Sequence, residues 1–207
     1  MTDGDIYTVV INENGEEVFT QNLSDENGER DGSGHHIFSD LNGDGQIEIV
    51  VFLGHVGSYS GYTQIKVLDT NGKELHKVSV GYNAFYQQRR FLIADLDNDG
   101  DKEIILSTVD NRFLVYDHTL RLIASLENVD YYPHFASDID GDNHKEILVT
   151  DGQNLQALSL NDNTLIKEWT LAFDNNVGAS VVTNLDNDSQ AELIVTTGDG
   201  KLHFFDF

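Results

Sequence analysis

The chain has 207 residues, and its 36 Asp and Glu against 12 Lys and Arg leave a formal net charge of −24. Such acidity argues against nucleic acid or an anionic membrane as a partner and favours cations, basic proteins or neutral ligands. With 39% hydrophobic residues, 11 Phe and 8 Tyr the chain can bury a core as one domain over 1–207, while its lack of cysteine excludes disulfides and thiolate metal sites.

The first residues, Met1-Thr-Asp-Gly-Asp5, lack the basic and apolar regions of a signal peptide. Residues 6–11 and 17–20 alternate on either side of Asn12-Glu-Asn-Gly15 and predict a β-hairpin. The same pattern returns at 65–68 and 75–78 around Asp69-Thr-Asn-Gly72. His35-His36, the one adjacent histidine pair, follows in a Gly- and Asp-rich entry and reads as surface rather than catalytic.

A nine-residue pattern then begins, and it occurs four times. It reads Asp40-Leu-Asn-Gly-Asp-Gly-Gln-Ile-Glu48, Asp95-Leu-Asp-Asn-Asp-Gly-Asp-Lys-Glu103, Asp138-Ile-Asp-Gly-Asp-Asn-His-Lys-Glu146 and Asn184-Leu-Asp-Asn-Asp-Ser-Gln-Ala-Glu192. Between the first two copies lies an insertion-like segment at 54–62. Oxygen donors recur at positions 1, 3, 5 and 9: Asp40, Asn42, Asp44 and Glu48; Asp95, Asp97, Asp99 and Glu103; Asp138, Asp140, Asp142 and Glu146; Asn184, Asp186, Asp188 and Glu192. Backbone carbonyls at position 7, from Gln46, Asp101, His144 and Gln190, add a fifth donor. Calcium takes six to eight oxygens in a flexible shell, so up to four Ca2+ are expected, one per loop; magnesium demands stricter geometry.

An EF-hand would place a carboxylate at position 12, where this chain has Val51, Leu106, Val149 and Val195. Ordinary β-turns also favour Asp, Asn and Gly, but four copies with Glu fixed at position 9 exceed what turns require. The second loop, with four carboxylates and Gly100, is expected to bind most tightly, and the fourth, with Asn184 and Ser189, most weakly.

Each loop is followed by a short apolar run, at 49–53, 104–108, 147–150 and 193–196, typical of buried strands. Strands recur in fours, giving repeat units at about 1–34 (partial), 35–80, 88–127, 133–171 and 178–207 (partial). Two strands, three full units and three more strands make seventeen. The expected fold is an all-β β-propeller of four-stranded antiparallel blades, with four blades and termini sharing the closing one; the alternative is a fragment of a larger propeller.

The pattern Asp-h-Asp-x-Asp-Gly-x-x-Glu-h, where h is apolar, resembles the FG-GAP or VCBS repeat of integrin α-subunit propellers and many bacterial secreted proteins. Val177-Gly-Ala-Ser-Val-Val182 looks like the segment that precedes calcium loops in that family. The chain departs from the pattern at Asn42, Asn143, Asn184 and Ser189.

In an up-and-down blade the calcium loops share one face with the third-to-fourth-strand turns. The opposite face gathers Tyr59, Tyr62, Tyr82, Phe85, Tyr86, Gln87, Gln88, Arg89, Tyr131, Tyr132 and Phe173, a set suited to stacking on sugars or to a protein hot spot. No catalytic constellation is visible. The reading is a non-enzymatic, calcium-stabilised interaction module, adhesive or carbohydrate- or protein-binding. The alternatives are the propeller of a polysaccharide-degrading enzyme such as a lyase, and a structural subunit of an extracellular assembly that pairs strands with another chain. Millimolar-range calcium loops imply an extracellular or periplasmic setting, and no apolar run approaches the ~18 residues of a membrane span.

Overall fold

The computed structural model describes residues 7–22, 33–54, 62–82, 91–183 and 192–206. These contain seventeen strands and no helix, and every paired strand is antiparallel. The chain forms two compact units, Met1–Arg89 and Arg90–Phe207.

In the first unit, β1 (Tyr7–Ile11) and β2 (Glu17–Asn22) make a two-stranded hairpin. A four-stranded sheet follows: β3 (Ser33–Ser39), β4 (Glu48–Gly54), β5 (Tyr62–Leu68) and β6 (Glu74–Tyr82), in sequence order. The β1–β2 and β5–β6 turns use the same chemistry. Oδ1 of Asn12 accepts the N–H groups of Asn14 and Glu16, and Oδ1 of Asp69 accepts those of Asn71 and Lys73. Gly15 and Gly72 close the two turns at φ of 81° and 80°. The first hairpin is therefore built like the outer half of a four-stranded sheet. Its Val10 and Phe19 cover a core of Ile49, Val51, Leu53 and Leu68. A side chain at residue 72 would meet the Phe19 ring 2.5 Å away, so only glycine fits there.

The second unit holds two further four-stranded sheets and one of three strands. They are β7 (Phe91–Ala94), β8 (Glu103–Ser107), β9 (Arg112–Tyr116) and β10 (Leu122–Glu127); β11 (Tyr132–Ser137), β12 (Glu146–Thr150), β13 (Asn154–Asn161) and β14 (Thr164–Ala172); and β15 (Val177–Thr183), β16 (Glu192–Thr197) and β17 (Leu202–Asp206). Strands β8 and β12 are buried along their full length. This is why they read as unbroken apolar runs rather than alternating ones. Ile105, Phe113 and Val115 of one sheet pack with Ile147, Val149 and Leu158 of the next. Leu148 and Leu155 then pack with Leu193 and Val195 of the last sheet. Face-to-face stacking of small antiparallel up-and-down sheets is the arrangement of β-propeller blades, as the sequence led us to expect.

Candidate metal centres

Each nine-residue loop joins the first strand of a sheet to the second. Its ends meet in one register in all four sheets: Ser39 faces Glu48, Ala94 faces Glu103, Ser137 faces Glu146 and Thr183 faces Glu192. Glu at position 9 is thereby turned back under the loop. Its Oε2 accepts the N–H of position 2: Leu41 to Glu48 at 2.8 Å, Leu96 to Glu103 at 2.9 Å and Ile139 to Glu146 at 2.8 Å. The apolar residue at position 2 plugs the core below the loop, at 1% exposure for Leu41 and Leu96 and 6% for Ile139. Glu at position 9 therefore has a structural task as well as an oxygen to offer a cation.

Inside the loops the short carboxylates fold the backbone around themselves. Oδ1 of position 5 (Asp44, Asp99 and Asp142) accepts the N–H of position 7 (Gln46, Asp101 and His144) in the three described loops, at 2.8 Å each. Oδ1 of position 3 (Asn42, Asp97 and Asp140) accepts the N–H of position 5. These bonds demand a left-handed backbone at two places. Position 4 is Gly43, Asn98 and Gly141, with φ of 65°, 61° and 80°, and position 6 is Gly45, Gly100 and Asn143, with φ of 84°, 98° and 80°. The sequence pattern singles out position 6; the equal need at position 4 is a structural finding. Asn98→Gly should leave the thermal midpoint near wild type, while Asn98→Val should cost about 1–2 kcal/mol because a β-branched residue resists this conformation. Equal melting of the two variants would contradict that reading.

The loops gather negative charge. Ligand oxygens of Asp95, Asp97 and Asp99 lie within 4.8 Å of one another, as do those of Asp138, Asp140 and Glu146. Asp40 and Asp95 each keep a buried Oδ1 with no hydrogen-bond partner. A buried carboxylate oxygen left bare is costly unless something positive meets it, so the first two loops fit a hard cation. In the third loop Asp138 is more engaged, accepting from Gly141 at 2.7 Å and Asn143 at 3.0 Å. Burial pushes the Glu103 carboxyl up to about 7; the Leu96 N–H opposes this, and the charges of Asp97, Asp99 and Asp95 add to it. Glu146 is likewise raised to about 7 by burial, opposed by the Ile139 N–H and reinforced by Asp140 and Glu168.

Of the remaining expected ligands, Asp101 turns its side chain to His118 in the β9–β10 turn, 3.2 Å away, leaving its carbonyl as the donor it can offer the loop. The same pair places a third-to-fourth-strand turn beside a candidate metal loop, as the blade geometry predicts. Gln46 folds its amide onto Asp44 at 3.3 Å, and His144 is exposed. Asn184, Asp186, Asp188 and Gln190 lie outside the described residues, and Glu192 at the end of that loop is buried.

On the opposite face, Tyr59, Phe85, Tyr86, Gln87, Gln88 and Arg89 lie outside the described residues, and Tyr62 and Tyr82 are placed as the first residue of β5 and the last of β6. Tyr131 packs edge-on to Phe113, with ring centroids 6.0 Å apart, and donates to Gln156 at 3.0 Å, so it serves the packing of sheet on sheet. Tyr132 stands edge-on to His134 at 5.9 Å. Phe173 does reach a cleft. Its ring meets His203 at 4.9 Å and Phe205 at 6.1 Å, and Thr197, Asp199 and Lys201 line the polar side. His203 and Phe205 carried no signal beyond strand alternation.

The described loops thus share one scaffold: a fixed closing register, a Glu clamp and two left-handed residues. Residues 40–106, spanning the first loop through the second and on into β8, match the family model of the FG-GAP-like repeat. The chain carries an FG-GAP-like repeat. No curated protein matches its sequence. Among solved structures, the chain resembles rhamnogalacturonan lyase YesW, with a TM-score of 0.61 and 17% identity over 96% of this chain and 45% of that one. It also resembles BBS1N, solved in complex with ARL6DN, with a TM-score of 0.58 and 12% identity over 99% and 59% of the two chains. A third is the V. cholerae biofilm matrix protein Bap1, with a TM-score of 0.54 and 24% identity over 82% of this chain and 26% of that one. These likenesses establish a shared propeller fold. The chain spans less than two thirds of each relative's length.

Proposed function

We propose that this chain is a non-enzymatic, calcium-stabilised interaction module. The observation that carries the calcium reading is the pair of bare, buried Oδ1 atoms of Asp40 and Asp95, the latter in a loop where the oxygens of Asp95, Asp97 and Asp99 come together. In the second loop Asp95, Asp97, Asp99, Glu103 and the Asp101 carbonyl would hold the ion; Asp40, Asn42, Asp44, Glu48 and the Gln46 carbonyl would do so in the first. In the third the set is Asp138, Asp140, Asp142, Glu146 and the His144 carbonyl, and in the fourth Asn184, Asp186, Asp188, Glu192 and the Gln190 carbonyl. The ion supplies charge neutralisation. Two like charges ~4 Å apart repel by about 4 kcal/mol at an effective dielectric near 20, and a dication reverses that sign.

The ligand side of the proposal rests on the cleft of Phe173, His203 and Phe205 with Asp199 and Lys201 at its edge. Aromatic faces beside polar groups suit a carbohydrate or a protein side chain. Weak, millimolar-range calcium sites fill outside the cytosol, so an extracellular or periplasmic setting goes with the reading.

Isothermal titration of the chelated chain tests the metal. Calcium should bind with a stoichiometry of two or more and magnesium much more weakly, and Asp95→Asn should remove the tightest site. Absence of calcium heat at millimolar concentration would end the proposal. Since the similar lyases act on rhamnogalacturonan by name, turnover of acidic polysaccharide should be assayed alongside. Turnover abolished by Asp199→Asn and His203→Ala would replace the module reading with an enzymatic one.

A further inference from the structure

We propose that the second and third loops bind their cations cooperatively, coupled through Lys145. The inference rests on the calcium reading above and concerns a residue outside the repeating donor set. Lys145 is position 8 of the third loop, next to Glu146. Its N–H donates to the carbonyl of Leu96 at 2.7 Å, and its Nζ donates to the carbonyl of Asp95 at 2.8 Å. Those carbonyls belong to positions 2 and 1 of the second loop. One residue ties the closing end of one loop to the opening end of the loop before it.

The bond to Asp95 has a second consequence. The Asp95 carbonyl and the Leu96 N–H are two ends of one peptide group. Lys145 holds the carbonyl end with a positive charge, and Glu103 holds the N–H end with a carboxylate at 2.9 Å. Both charges lie along the peptide dipole in its favourable sense, so each strengthens the other's bond. That peptide sets the direction of the Asp95 side chain, whose Oδ1 is the bare buried acceptor of the second loop.

A cation in the third loop draws Asp138, Asp140 and Glu146 together and so immobilises the adjacent Lys145. An immobile Lys145 orders the entry to the second loop, and the second cation then has less conformational freedom left to remove. Repulsion between the two dications opposes this, but salt screens it beyond about 8 Å at 0.15 M. The ordering contribution does not fade with salt. A coupling on the order of five- to tenfold in affinity is expected, at the low end for linked sites.

The test uses the full chain, with the Gly100 and Gly141 amide resonances reporting the second and third loops during calcium titration in 0.15 M KCl. Asp140→Asn weakens the third loop while keeping its fold, because an amide oxygen can still accept the Asp142 N–H that Asp140 holds at 3.1 Å. The calcium midpoint at Gly100 should rise about five- to tenfold in Asp140→Asn. The same comparison in a Lys145→Met background should give a ratio near one, and the charge removed at residue 140 cancels in this cycle. An unchanged Gly100 midpoint in Asp140→Asn, or an equal shift in both backgrounds, would overturn the coupling through Lys145. Gly100 and Gly141 resonances that ignore calcium altogether would overturn the calcium reading, and the coupling with it.

Discussion

Chelation at fixed pH and ionic strength should lower the thermal midpoint by at least about 10 °C, and calcium, but not equimolar magnesium, should restore it. A site filled at a hundred times its dissociation constant stabilises the folded chain by about 2.7 kcal/mol. In a chain of this size 1 kcal/mol moves the midpoint by roughly 2–4 °C. One saturated loop therefore accounts for roughly 5–10 °C, and two or three exceed the expected minimum. The effect is large because the loops are not appendages. Through Glu48, Glu103 and Glu146 each is clamped to a position-2 residue that sits in the core. Opening a loop pulls Leu41, Leu96 or Ile139 from its seat. A midpoint indifferent to chelation would mean that these segments are turns closed by their own Asx hydrogen bonds, with no metal to lose.

The sequence made the sheets legible where both faces are buried, since Ile104 to Leu106 and Ile147 to Val149 can hardly be anything but central strands. It also made the hairpin around Asn12 legible, because Asn and Asp at the head of a turn act through bonds only two and four residues away. Recurrence of Glu at position 9 was equally plain, but its bond to position 2 was not. That bond depends on the register in which Ala94 faces Glu103, and a repeat pattern does not state a register. Lys145 was invisible for a stronger reason: its partner lies 50 residues earlier, in another repeat. Tyr131 shows the same limit, since its hydroxyl donates to Gln156, 25 residues later and in the next sheet. Local chemistry was readable, and contacts between repeats were not.

Those clamping glutamates also dictate how the calcium-free chain should respond to pH. Burial, reinforced by neighbouring carboxylates, holds Glu103 and Glu146 at about 7 in the folded chain, against an ordinary 4.5. Between those values the folded state keeps protons that the unfolded state has released, so stability falls as pH rises through this window. The penalty is absent below about 4.5 and complete above about 7. After allowance for partial solvent screening, it should amount to about 2–3 kcal/mol for the two groups together. Two sets of groups pull the other way. His134, whose titration burial lowers, costs stability as pH falls below 6.5; so does His36, which is exposed overall and lowered by desolvation of its ring and by the neighbouring His35. Asp69, Asp110 and Asp117, whose hydrogen bonds hold them low, lose theirs only in stronger acid. The glutamate contribution is therefore isolated by comparison with Glu103→Gln/Glu146→Gln, since Gln can still accept the position-2 N–H without a charge. Without calcium, the double variant should be the more stable chain at pH 8 and lose its advantage near pH 5. With calcium, wild type should be the more stable at pH 8, because the dication replaces the proton that the buried carboxylates otherwise retain. Superimposable melting curves for the two chains across pH 5 to 8 without calcium would show that these carboxylates reach solvent. In that case the clamp would be a surface feature, and the chelation effect would have to come from Asp40 and Asp95 alone.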